Sequence, residues 1–100
     1  MLQRALLATA FALRPRVLLL DEVTSALDPT IALSILTLIR DLVDTHRTGV
    51  VFISHDLAQA RFLCDRMAVL HDGRIVESGT THQVFTSPDH AYTRRQVNAL

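Results

Sequence analysis

Two short stretches carry residue types that could do chemistry, and each follows directly on an apolar run. Val17-Leu18-Leu19-Leu20 ends in Asp21-Glu22, and Val50-Val51-Phe52-Ile53 ends in Ser54-His55-Asp56. A carboxylate pair at a strand end suits metal-dependent phosphoryl transfer. One carboxylate can hold Mg²⁺, directly or through water, because that ion prefers oxygen ligands and retains part of its hydration. The other can orient or deprotonate an attacking water. Adjacent residues on a strand face different ways, so Asp21 and Glu22 can divide these roles. Each feature also has a plainer reading. An apolar run ending in Asp-Glu is equally a solvated strand terminus, and a histidine after a buried strand is often structural.

The elements that must position these groups read as an alternation. Residues 2–13 form a helix, broken at Arg14-Pro15-Arg16. Val17 to Leu20 is apolar without alternation, which suits a strand covered on both faces of a parallel sheet. After a polar connection from Thr24 to Asp28, Asp28-Pro29 starts a helix, with Asp as cap and Pro at the first position. Ile31, Ile35, Leu38, Ile39 and Leu42 then share one face, and the helix ends near His46. Val50 to Ile53 is a second strand, and Asp56 or Ser54 caps a helix running to about Cys64. Met67 to Leu70 is a third strand. Asp72-Gly73 signals a hairpin whose two central residues need positive φ, with Arg74 to Glu77 returning. Thr80 or Thr81 opens a short helix broken near Ser87-Pro88, and Ala91 to Leu100 reads as a last amphipathic helix. This is an α/β layer with a parallel sheet and an antiparallel edge. Ligands bind such sheets beyond the carboxyl ends of the strands, where both polar stretches lie.

Composition narrows the function classes. The 100 residues carry ten basic and ten acidic side chains, so net charge gives no affinity for nucleic acid or anionic membrane. All ten basic residues are arginine. Cys64 stands alone, which excludes an internal disulfide, and its apolar helical setting reads as packed. His46, His71, His82 and His90 show no metal-ligand spacing and read as surface residues. Met1 to Leu13 imitates a secretory leader, but the helix reading is preferred, because cleavage there would leave a chain starting at a buried strand. No apolar run approaches the roughly 20 residues of a spanning helix.

The ordered set Leu18-Leu19-Leu20-Asp21-Glu22, Ser25-Ala26-Leu27-Asp28 and Ser54-His55-Asp56 resembles the motifs of ABC-type ATPases. The first is similar to their Walker B strand and catalytic glutamate. The second is similar to the D-loop, which in that family reaches across an ATPase dimer. The third is similar to the switch histidine, which contacts the γ-phosphate. Asp72 to Gly79 resembles the family's later hairpin. The resemblance covers essentially the whole chain. It implies ATP and Mg²⁺ as cofactors, with Asp21 at the metal, Glu22 and His55 catalytic, and Ser25 and Asp28 at the nucleotide and dimer contact. It implies a second ATPase subunit and transmembrane permease subunits as partners, no nucleic acid, and a place at the cytoplasmic face of the membrane.

Other family features are missing from these 100 residues. A phosphate-cradling loop needs G-x-x-x-x-G-K-[ST]. The only glycines are Gly49, Gly73 and Gly79, and there is no lysine. The Q-loop and the Leu-Ser-Gly-Gly signature are also missing, while Met1-Leu2-Gln3-Arg4-Ala5-Leu6-Leu7 is similar to the helix that follows that signature. The expectation is therefore a partial P-loop-NTPase-like unit over residues 1–84, lacking the P-loop half and inactive alone. Residues 85–100 form a tail. Val84-Phe85 with Ser87-Pro88-Asp89-His90-Ala91-Tyr92-Thr93-Arg94 resembles the tail of the oligopeptide, dipeptide and nickel importer branch, with Ala91 at the usual proline. Two other readings stand beside this one. One is a non-catalytic remnant or module docking on a complete ATPase. The other is an unrelated metal-dependent hydrolase using Asp21, Glu22 and His55, which leaves Ser25 to Asp28 unexplained.

Overall fold

The computed structural model describes residues 2–100, with side chains from Leu6 onward. Its elements are α1 (Leu2–Ala12), β1 (Val17–Asp21), α2 (Pro29–His46), β2 (Gly49–Ile53), α3 (Leu57–Leu63), β3 (Arg66–His71), β4 (Arg74–Thr80), α4 (Thr81–Thr86) and α5 (Ala91–Asn98). Strands β1 and β2 pair in parallel, in a register from Val17 opposite Gly49 to Asp21 opposite Ile53. Helix α2 makes the crossover, as a parallel connection requires.

Both ends of α2 follow from local chemistry. The Asp28 carboxylate accepts a hydrogen bond from the Thr30 amide at 2.9 Å, and Pro29 fills the first turn. At the far end Arg47 takes the left-handed conformation, with φ 53°, a position more often given to glycine. Between them Ala32, Ile35, Leu36 and Ile39 are buried. Ile35, Leu36 and Ile39 pack with Leu7 and Phe11 of α1, Leu20 of β1 and Leu63 of α3. Burying a side chain of this size contributes about 1.5–3 kcal/mol. The buried face is rotated from the expected one: Ile31 is exposed, and Leu38 and Leu42 are only partly covered.

The sheet departs from expectation in two respects. First, among the described residues there are two separate two-stranded sheets, β1–β2 and β3–β4, and not one mixed sheet. Strand β3 pairs only with β4, and a groove of about 820 Å³, lined by β2 on one side and β3 on the other, lies between the two edges. Second, β1 and β2 are covered on one face only. Leu18, Leu20, Val50 and Phe52 meet the core, whereas Val17, Leu19, Val51 and Ile53 are 44–64% exposed.

The hairpin forms as its sequence dictates. Asp72 and Gly73 both have positive φ, 52° and 75°. Strand β4 continues to Thr80, three residues past the expected Glu77, with a register irregularity at Val69–Leu70. Thr80 and Gln83 then form a reciprocal capping box for α4. The tail is bound back onto the hairpin. Glu77 accepts hydrogen bonds from the amides of Asp89 and His90, each at 3.0 Å, and Tyr92 stacks on His71 with centroids 3.9 Å apart. Two of the four histidines read as surface residues therefore have structural work. His71 stacks, and the His90 ring caps α5 through the Tyr92 amide. No helix of the described residues is long and apolar enough to cross a membrane.

Candidate functional site

The parallel register brings the two polar stretches together. Asp21 is the last residue of β1 and pairs with Ile53, the last of β2. The Glu22 amide extends the ladder by one bond, donating to the Ile53 carbonyl at 2.8 Å. Glu22 itself sits at φ 52°, a conformation disfavoured for a residue with a Cβ. The chain turns there, and the Glu22 carboxylate meets the His55 ring, with Oε1 to Nδ1 at 2.9 Å.

This contact fixes the chemistry of His55. An ionised carboxylate only accepts, so Nδ1 carries the proton. The other ring nitrogen, Nε2, is left for a ligand. The hydrogen bond that His55 donates to Glu22, and then the Glu22 charge, raise the His55 pKa above the ordinary 6.5. That favours the imidazolium, whose Nε2–H can donate to a phosphate oxygen. The pair is solvent-facing, with side-chain exposures of 73% for His55 and 43% for Glu22.

Asp21 has the same strand phase as Leu19 and is exposed on the bare face of the sheet. A lone open carboxylate suits Mg²⁺ held jointly by protein, water and substrate phosphates. It does not suit a metal caged by protein alone, and no group of three His, Cys, Asp or Glu among the described residues could form such a cage. Ser25 closes the turn after Glu22: its hydroxyl donates to the Glu22 carbonyl at 3.0 Å. Asp28 caps α2. Both are exposed, so each has a structural contact within the chain and a free surface beyond it. The structure brings Glu22 and His55 into contact, and sets Asp21, Ser25 and Asp28 on the same strand end and the loop that follows.

Two residues near the site carried no signal in the sequence. Thr24 is 1% exposed, and its hydroxyl donates to Gln59 Oε1 at 2.5 Å. They lie 35 positions apart, and nothing in either one's neighbourhood marks the pairing. Cys64 is packed, as expected. Burial first, and then Asp65, push its thiol pKa up, away from the reactive thiolate.

No family model matches the chain. Curated relatives do. A peptidoglycan transport ATP-binding protein, YejF, from Agrobacterium fabrum is 48% identical over 97% of this chain and 18% of its own length. A phosphate import ATP-binding protein, PstB 2, from Mycobacterium tuberculosis is 52% identical over 94% of this chain and 33% of its own. The glutathione import ATP-binding protein GsiA from Escherichia coli is 44% identical over all of this chain and 16% of its own. The chain thus spans a third or less of these relatives. With the strand-end carboxylates, the paired histidine and these matches in hand, the chain belongs to the ATP-binding proteins of ABC transporters and corresponds to part of their length.

Proposed function

We propose that these residues form the water-activating and phosphate-sensing half of an ATPase site that energises a transporter. The observation that carries this reading is the 2.9 Å contact between Glu22 and His55 at adjacent parallel strand ends. Glu22 orients or deprotonates water. His55, held in its protonated form by Glu22, presents Nε2–H to the γ-phosphate. Asp21 holds Mg²⁺, which when bound neutralises phosphate charge. Ser25 and Asp28 present their free sides to a second ATPase subunit.

The bare face of β1–β2 and the open groove beside β2 support a further point. They are where the rest of a nucleotide-binding unit packs, including the phosphate cradle that this chain's three glycines do not form. The importer-type tail and the peptide and glutathione names of relatives favour import of peptides, with nickel as the second ligand class of that branch. The subunit then works at the cytoplasmic face of the membrane against permease subunits. Peptide-stimulated hydrolysis by the intact complex supports this assignment, and stimulation by phosphate alone overturns it.

The test of the site is Glu22→Gln in the intact subunit. Hydrolysis falls by about 10²–10⁴-fold, the usual worth of a positioned general base, while ATP still binds. Loss of ATP binding instead removes the assigned role. The missing lysine and glycine array favours a second reading, a non-catalytic module docking on a complete ATPase. A monomeric, cooperatively unfolding 100-residue chain would support that alternative.

A further inference from the structure

We infer that Thr24 and Gln59 are positioning residues that hold Glu22 and His55 in register; the inference rests on the ATPase reading of that pair. The hydrogen bonds around the site close into a ring. Glu22 meets His55 at 2.9 Å. His55 is followed by Asp56, whose carboxylate accepts from the Gln59 amide at 3.2 Å. The Gln59 side chain accepts from the Thr24 hydroxyl, and Thr24 is two residues beyond Glu22.

The two loops of the site are thus joined twice. One joint is the exposed Glu22–His55 contact, which is free to meet ligand. The other is the Thr24–Gln59 bond, in which the Thr24 side is buried and the Gln59 side only half-buried. The Glu22 backbone is bent at φ 52°, a conformation that persists only where its surroundings impose it. The loop carbonyls show how it is imposed. Glu22 O accepts from the Ser25 amide and hydroxyl, and Thr24 O accepts from the Leu27 amide at 3.2 Å. Thr24 is therefore fixed through its backbone to the Glu22 loop and through its side chain to the first turn of α3. Movement of either loop is transmitted to the other.

A merely structural threonine and a positioning one differ in what their loss disturbs. Thr24→Val keeps the shape and removes the donor, leaving Gln59 Oε1 unpaired. In the intact subunit we expect kcat to drop at least tenfold with KM for ATP within about twofold, and Thr24→Ser to restore it. Gln59→Leu should match Thr24→Val, and the double variant should be no worse than either, because one interaction is lost once. A second readout needs no turnover. The ¹⁵N shift of His55 Nδ1 should move in Thr24→Val toward its value in Glu22→Gln, and return in Thr24→Ser. Unchanged kcat and unchanged Nδ1 shift in Thr24→Val, beside an inactive Glu22→Gln, overturn the positioning role alone. Equal loss in Thr24→Val and Thr24→Ser also overturns it. Full hydrolysis by Glu22→Gln overturns the ATPase reading instead, and the Nδ1 shift then still decides whether Thr24 sets the pair.

Discussion

Glu22 holds its backbone at φ 52°, and such a conformation costs about 1–3 kcal/mol for a non-glycine residue. The return is direction: in a regular strand the Glu22 side chain would stand on the face opposite Asp21, whereas with this bend its carboxylate meets His55. The consequence for protonation has a definite sign. Because pairing raises the folded pKa of His55, the charge-assisted contact is complete below the unfolded value. It weakens as pH rises through the raised folded value. Removing the Glu22 charge should return His55 toward 6.5. A titration of the His55 ring by NMR in Glu22→Gln checks this, and an unshifted midpoint would mean that another group sets it. The carboxylates and His55 were legible in the sequence because they terminate apolar runs. The Thr24–Gln59 bond was not, because it joins positions 35 apart that meet only when the loops fold together.

The short elements are fixed mostly by side chains at their ends. Helix α4 has only six residues, too few to persist alone, and the Thr80–Gln83 box supplies bonds its first turn lacks. Thr80→Ala should cost about 1 kcal/mol of stability, read as a shift in the denaturation midpoint. The tail depends on Glu77 in the same way. Burial alone would raise its carboxyl pKa, but the amides of His90 and Asp89 donate to its oxygens and hold it below the ordinary 4.5. A depressed folded value means this stabilisation is present above about pH 4.5 and is lost as pH falls through the folded pKa. Glu77→Gln turns a donor NH₂ toward amides that need acceptors. Amide exchange over residues 89–98 should rise at neutral pH while that of α2 is unchanged, and equal protection of the tail would refute the latch. The Asp28 cap was readable from residue type, and the structure chose Asp56 over Ser54 and Thr80 over Thr81, whereas the length of β4 was not readable. Its last three residues, Ser78 to Thr80, pair with Ala68, Met67 and Arg66, and no apolar pattern marks them.

At the scale of the molecule, one side of β1–β2 is a working interior and the other is bare. Leu19 and Val51 face each other on the open side, 61% and 51% exposed. An apolar surface of this kind marks an interface, and β2 and β3 each present an unpaired edge to the groove between them. On the proposed ATPase reading these residues form half of a phosphate site without its cradle, so the 100-residue chain should not bind ATP measurably by calorimetry. Binding at low micromolar Kd would show that these residues suffice.

The sequence alone determined the order of the elements, the Asp28 cap, the hairpin turn and the candidate site residues. Those depend on neighbours a few positions apart, where periodicity and turn chemistry act. Only the tertiary structure decided that β3 pairs away from β2, that one sheet face is uncovered, and that Thr24 reaches Gln59. Continuous apolar runs such as Val17–Leu20 indicate that a strand expects cover on both faces; they do not say whether the covering elements lie within the same 100 residues.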